Sequence, residues 1–250
     1  GLTPGAEVAA GQMDLDLAGI RGTIHTPAGP VALNLKLPGR YNLLNALAAT
    51  ALGVGLGLAP ETVAAGLASV HGVPGRLERV RPAPADGPVV LVDYAHTPEA
   101  LANAIREVKA LTPGRLYTVF GCGGDRDSGK RPLMGDAAGR YSDAVILTSD
   151  NPRTEDPLAI ITMVEPGLMD LGRRPVDVRE ALAAGLNGSS YARVPDRTEA
   201  IKLAIALAGP GDAVLIAGKG HEDYQIVGRT KRHFDDREVA AAALAGGGGS

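Results

Sequence analysis

Asp150-Asn151-Pro152-Arg153 place an acid, an amide and a guanidinium within four consecutive residues. They follow the apolar run Ala144-Val145-Ile146-Leu147, which reads as a buried strand, and precede Thr154-Glu155-Asp156-Pro157. A planar, permanently charged fork beside a carboxamide suits a carboxylate ligand, because arginine grips a carboxylate through two parallel hydrogen bonds. Pro152 limits how the backbone between them moves. The same residues also fit a purely local reading: a strand-to-helix turn with Asp156 as N-cap and Pro157 at the first helical position.

Three further polar segments carry chemistry of the same kind. Phe120 to Pro132 follows Leu116-Tyr117-Thr118-Val119, Ala217 to Gln225 follows Ala213-Val214-Leu215-Ile216, and Asp93 to Pro98 follows Val89-Val90-Leu91-Val92. Their charges are complementary. Arg126 and Arg153 suit a carboxylate, Glu222 suits an ammonium group, and Gly218 leaves its backbone open to close approach. Together they fit a zwitterionic amino-acid terminus. Asn42 and Asn45 lie three apart and share a helix face; an adenine edge would satisfy them, and so would a solvent-facing or capping role.

Four apolar runs, each ending in a loop that leads into a helical pattern, predict an α/β fold with a mostly parallel sheet. In such sheets ligands gather where the strands' carboxyl ends open into a crevice. Helices are expected over 97–111, 131–141, 157–171 and 196–208, the last with a capping box of Asp196 and Glu199. A hairpin over 226–234 and a helix over 237–245 complete this part. Before it, residues 1–40 alternate like hairpin strands, and helices are expected over 41–52 and 60–69. Val73-Pro74-Gly75-Arg76 reads as a domain junction. The segment ahead of it looks incomplete as a domain, so the apolar face carrying Leu43, Leu44 and Leu47 is expected to lack its packing partners. Residues 246–250 read as a Gly/Ser linker tail.

Composition narrows the function classes. Apolar residues make up 45% of the 250, enough for a buried core, and aromatics only 3%, so Ala, Val, Leu and Ile build it. A net charge of -3 supplies no field for nucleic acid. The single cysteine, Cys122, excludes a disulfide framework and fits a reducing cytoplasm. No signal peptide and no apolar stretch of membrane-spanning length is seen. The five histidines show no metal-ligand spacing, so no metal site is expected. Gly124 to Lys130 has the spacing of a Walker A loop, but Arg131 stands where Ser or Thr would hold Mg²⁺, and Asp125 and Asp127 bring negative charge to a phosphate cradle.

Taken in order, Tyr41-Asn42-Leu43-Leu44-Asn45-Ala46, Gly75-Arg76, Asp93 to Pro98, Gly121 to Pro132, Asp150 to Arg153 and Gly218 to Gln225 resemble the Mur ligases of peptidoglycan synthesis, in particular their meso-diaminopimelate-adding branch. The resemblance implies that residues 1–73 are the end of a central ATPase domain and 74–245 a Rossmann-like amino-acid-binding domain. It implies diaminopimelate contacts at Arg126, Asp150, Asn151, Pro152, Arg153, Gly218 and Glu222, and an ATP-facing set of Asn42, Asn45, Arg76, Asp93 and His96. The implied reaction uses ATP and Mg²⁺ to activate a carboxylate of UDP-MurNAc-L-Ala-D-Glu as an acyl phosphate, which the amine of diaminopimelate attacks. The family's Gly-Thr-Asn-Gly-Lys-Thr-type loop and UDP-binding domain have no counterpart here. No catalytic residue is therefore expected within these residues, and the chain by itself is expected to be inactive. Rival readings are a non-catalytic amino-acid-binding module and a P-loop phosphotransferase.

Overall fold

The computed structural model describes residues 1–2, 5–81 and 87–246, and divides into two compact units, Gly1–Val73 and Pro74–Ser250. The first unit holds a three-stranded antiparallel sheet, β1 (Ala9–Asp16), β2 (Gly19–His25) and β3 (Val31–Leu35), with helices α1 (Arg40–Gly55) and α2 (Pro60–Ala68). Alternation along β3 puts Val31, Leu33 and Leu35 inside, the period-two pattern of a half-buried strand. Pro60 opens α2, where its missing N–H costs nothing. Contrary to the expectation of a stranded apolar face, Leu43 and Leu47 are buried in one cluster with Ile20, Ile24, Leu33 and Val63; of the three leucines only Leu44 is exposed. The sheet supplies the partners that the sequence alone does not reveal.

The second unit is built on a seven-stranded sheet in the order β4-β5-β10-β6-β7-β9-β8. Its strands are β4 (Glu78–Arg79), β5 (Val89–Asp93), β6 (Leu116–Phe120), β7 (Ala144–Leu147), β8 (Arg174–Val176), β9 (Ser190–Arg193) and β10 (Ala213–Ala217). All pair in parallel except β4, which runs antiparallel along β5. The α/β class with a mostly parallel sheet is the fold expected. Helices α3 (Pro98–Leu111), α4 (Lys130–Tyr141), α5 (Pro157–Met169), α6 (Val178–Ala184), α7 (Arg197–Leu207) and α8 (Asp236–Gly246) alternate with or follow the strands. The hairpin β11 (Tyr224–Val227) and β12 (Thr230–His233) forms a separate ribbon.

The helix starts follow local chemistry. Thr97 accepts from the Ala100 amide ahead of Pro98, and Asp156 accepts from Leu158 ahead of Pro157. Asp196 caps Glu199 N at 3.1 Å, but the reciprocal half of the expected capping box is missing because the Glu199 carboxylate pairs with Lys202 instead. The sequence reading overlooked β8, α6 and β9. Each is short, and Arg174-Pro175-Val176 and Ser190-Tyr191-Ala192-Arg193 hide their strand character behind polar ends. Gly246 closes α8 rather than opening a tail; the remaining four residues of the expected linker lie outside the described residues.

Position in the sheet matters more than the extra strands. The final parallel strand, β10, inserts between β5 and β6, so the carboxyl ends of β5, β10, β6 and β7 stand side by side. The four polar loops of the sequence are the loops that leave those four ends. They converge on a cleft of about 340 Å³ lined by Tyr94, His96, Cys122, Arg126, Asp150, Asn151, Arg153, Gly218 and Glu222, among others. This is where a parallel sheet places a ligand.

Candidate functional site

The Asp150–Arg153 turn is held from two sides, by the hairpin and by the loop after β6. Arg153 adopts a left-handed backbone with φ of 50°, a conformation costing a non-glycine residue of order 1 kcal/mol or more. The hairpin fixes it there: Arg153 N donates to Ile226 O at 3.1 Å, and Gly228 N donates to Arg153 O at 2.6 Å. The turn also touches the loop after β6, where Gly124 N donates to Asn151 O at 2.9 Å. A Cβ on Gly124 would come within 1.9 Å of Pro152 O, so only glycine permits that approach. Thr154 completes the contact by bonding through N–H and hydroxyl to the Asp125 carboxylate.

This arrangement fixes charge as well as shape. The Arg153 guanidinium donates only to carbonyls, Gly124 O at 2.7 Å and Asn151 O at 3.5 Å, and has no carboxylate partner among the described residues. Arg126 is exposed on the same cleft and likewise has none. Across from them stand Glu222, which accepts from Asn151 Nδ2 at 3.0 Å, and Asp150, nearly buried, whose Oδ1 makes no hydrogen bond. The cleft therefore presents two cationic forks with no carboxylate partner among the described residues, and two carboxylates that share the Lys219 ammonium.

Asn151 is the hinge of this charge pattern, and the residue behind it escaped the sequence reading. Lys219, fully buried, donates to Asn151 Oδ1 at 3.1 Å and to Tyr224 O at 2.6 Å, and its ammonium lies 3.4 Å from Asp150 Oδ1 and 3.8 Å from Glu222 Oε2. Burial, the largest influence, holds its pKa below the ordinary lysine value, against the pull of Asp150. It stands between two glycines in a polar loop, and only the fold shows that it points inward.

The ATP-facing candidates of this unit are divided in role. Both carboxylate oxygens of Asp93 are taken by amides, Leu77 N and Ala95 N, each at 2.8 Å, and burial raises its pKa in spite of those bonds. Asp93 thus ties the loop containing Gly75 and Arg76 to the end of β5. Arg76 and His96 are exposed and frame Tyr94: the guanidinium carbon lies 5.3 Å from its ring centroid, and the His96 ring centroid lies 4.5 Å away. His221 stands at 5.2 Å from the same ring. Tyr94 had no mark in the sequence beyond its neighbours. In the first unit, Asn42 donates to Pro38 O at 2.7 Å and Asn45 is exposed, 3.5 Å from Asn42 Oδ1. The pair is not the buried one that would require an outside partner.

The loop from Gly124 to Lys130 is not a phosphate cradle. Three of its amides are used inside the protein: Gly124 N on Asn151 O, Asp125 N on Glu155 Oε1 and Gly129 N on Asp127 Oδ1. Arg131, at the position a P-loop gives to a metal-binding hydroxyl, is buried in a two-pronged ion pair with Glu155 at 2.8 Å. The phosphotransferase reading fails on these contacts. Cys122 is equally poor as a nucleophile, its thiol pushed up to about 12 by burial and then by the Asp150 carboxylate. Cys122 is therefore expected to resist iodoacetamide at pH 8 in the folded protein and to react in denaturant; rapid native labelling, read by mass spectrometry, would contradict this.

A doubly wound, mostly parallel sheet with a polar cleft at the carboxyl ends of its central strands defines the α/β class of this unit. The profile of the Mur ligase glutamate ligase domain matches residues 75–220. The chain belongs to the Mur ligase family. It is 52% identical over 98% of its length to the UDP-N-acetylmuramoyl-L-alanyl-D-glutamate--2,6-diaminopimelate ligase of Geobacter metallireducens, and 51% identical over 98% to that of Geobacter sulfurreducens. A solved structure of a ligase of the same name covers the whole chain at 35% identity and a TM-score of 0.73. The chain spans 47% of the length of each of these three relatives.

Proposed function

We propose that the Pro74–Ala245 unit is the amino-acid-binding domain of an ATP-dependent ligase that joins meso-diaminopimelate to UDP-MurNAc-L-Ala-D-Glu in peptidoglycan synthesis. The observation that carries the reading is the pair of arginines without carboxylate partners, Arg126 and Arg153, facing Glu222 and Asp150 across one cleft. One amino-acid terminus of diaminopimelate matches that pattern: carboxylate on Arg153, Arg126 and the Asn151 amide, ammonium on Glu222 and Asp150. Gly218 lines the cleft between them, whereas Pro152, expected there as well, lines a separate pocket with Ser149 and Pro157 and serves the cleft only by fixing the turn. The 52% identity to a ligase named for this substrate agrees.

With that terminus clamped, the amine at the other end is the nucleophile. ATP supplies the phosphoryl group that activates the acceptor carboxylate; the amine attacks the acyl carbon, phosphate leaves with the electron pair of the broken bond, and the amine loses a proton. The domain's share of catalysis is to hold the nucleophile in place, which converts a bimolecular encounter into an oriented one. Arg76 and His96, the exposed polar groups on the Tyr94 ring, are the residues of this unit we assign to the nucleotide. Asn42 and Asn45 are the corresponding candidates in the Gly1–Val73 unit, which we assign to the ATP-binding domain. Among the described residues no cluster of three or more His, Cys, Asp or Glu side chains is placed to hold a metal ion, and no step is assigned to Mg²⁺. Among the described residues no helix is long and apolar enough to cross a membrane. The proposed compartment, that of the relatives' reaction, is the cytoplasm.

Calorimetry of this chain with meso-diaminopimelate, L-lysine and ATP in turn tests the reading. Diaminopimelate is expected to bind, lysine far more weakly, and Glu222→Gln to weaken diaminopimelate by about 1.5–3 kcal/mol, the worth of a charge-assisted hydrogen bond. Absence of diaminopimelate binding, or a Glu222→Gln variant that binds as well as the parent, would refute the assignment.

A further inference from the structure

The Asn151 side chain lines the cleft, with Glu222 bonded to one end of its amide and Lys219 to the other. The orientation of its amide decides what it offers a ligand. Two groups flank its Oδ1, the Lys219 ammonium at 3.1 Å and the Ile226 amide at 2.9 Å, and both are donors only. Its Nδ2 lies 3.0 Å from a carboxylate oxygen of Glu222, which is an acceptor only. The amide therefore has a single allowed orientation, oxygen inward and nitrogen toward the cleft. One hydrogen of that nitrogen serves Glu222 and the other is free for a ligand acceptor.

The backbone is built to deliver Lys219 to this place. Gly218 and Gly220 have φ of 120° and 56°, and a Cβ on Gly220 would come within 2.6 Å of the Tyr94 Cβ. The turn between them carries the lysine stem into the interior, where the side chain has no exposure at all and cannot itself touch a ligand.

We propose that Lys219 is a specificity-determining positioning residue: by occupying Asn151 Oδ1 it locks the amide so that the cleft meets a ligand with a donor, which selects a carboxylate beside Arg153. The proposal rests on the amino-acid-binding reading of the cleft. Without Lys219, Asn151 keeps only the Ile226 amide as an inward partner, and a flipped amide would turn an acceptor toward both Glu222 and the ligand carboxylate. The buried ammonium also stands between Asp150 and Glu222, so its loss leaves two carboxylates less well separated.

The test uses this chain in two measurements. In the first, the ¹⁵N-labelled protein without ligand should show one slowly exchanging pair of Asn151 side-chain N–H signals, and Lys219→Met should broaden or double them. An unchanged pair in Lys219→Met overturns the proposal whatever the ligand is. In the second, calorimetry with meso-diaminopimelate compares the parent, Lys219→Met, Asn151→Ala and the double variant. Each single change should weaken binding roughly 10- to 100-fold, the range of one charge-assisted hydrogen bond, and the double variant little further, because both remove the same interaction. The diaminopimelate-to-lysine preference should fall in parallel. Additive losses, or a preference that survives in Lys219→Met, would show that Lys219 acts only on stability and would overturn the proposal. If Lys219→Met does not fold, Lys219→Ala, which likewise lacks a donor, replaces it with the same expectations. A parent chain that fails to bind diaminopimelate strikes the ligand reading, while the ligand-free spectra still decide the role of Lys219.

Discussion

Arg153→Ala is expected to remove most of the preference for diaminopimelate over lysine. Lysine lacks the second carboxylate, so a guanidinium that grips that group contributes to one ligand and not the other. Arg153 is well prepared for it. Its backbone is pinned on both sides by the hairpin, and its side chain rests on Gly124 O and Asn151 O without spending its charge on an internal carboxylate. Truncating one member of a buried charge pair costs roughly 2–5 kcal/mol, which corresponds to about 30- to several-thousand-fold in affinity. Binding of lysine should hardly change. Arg153→Lys should fall between, because an ammonium keeps the charge but loses the planar fork. Competition calorimetry with the two amino acids measures the ratio directly, and an unaltered ratio in Arg153→Ala would remove Arg153 from the carboxylate grip.

Arg197→Leu should be the most destabilising single change in the sheet unit. Arg197 and Asp236 form an ion pair at 2.7 Å with neither side chain exposed. The same guanidinium donates to Ser149 O at 3.2 Å and Ala217 O at 3.0 Å, joining the segment after β7 to the end of β10 while holding α8. Removing one partner leaves Asp236 charged and unpaired in the interior, at a cost of about 3–5 kcal/mol, a large fraction of a typical domain's stability. Replacing both residues by leucine should recover only part of that loss, since the two carbonyls still lose their donor. Urea midpoints of the two single variants and the double variant test this. A double variant as stable as the parent would mean that the carbonyl contacts contribute nothing, and a single variant near parental stability would contradict the account of the pair.

Local patterns made much of this molecule readable. The continuous apolar runs at Val89–Asp93, Leu116–Phe120, Ala144–Leu147 and Ala213–Ala217 are what strands buried on both faces require, and Pro98, Pro157 and the carboxylates of Asp156 and Asp196 mark helix starts through bonds that each residue makes to its own neighbours. Such signals need no knowledge of distant chain. Arg126 and Arg153 stood out as candidate carboxylate ligands because they are charged forks set in loops after buried strands.

What the sequence by itself determined, then, is the alternation of strands and helices, the chemical character of the four loops and, through the motifs they carry, the family. Tertiary structure alone decided which strands are neighbours. The insertion of β10 between β5 and β6 brings Gly218 and Glu222 against a turn some seventy residues earlier, and no local periodicity encodes that pairing. It also decided the sense of individual side chains. Lys219 sits in a polar loop between two glycines and is buried behind Asn151; Asp93 looks like a ligand contact and spends both oxygens on backbone amides; Arg131 looks like part of a failed P-loop and is the buried partner of Glu155. The physical reason is common to all three. A charged group's role is set by which partners surround it and whether water reaches it, and those partners arrive from segments far away in the chain.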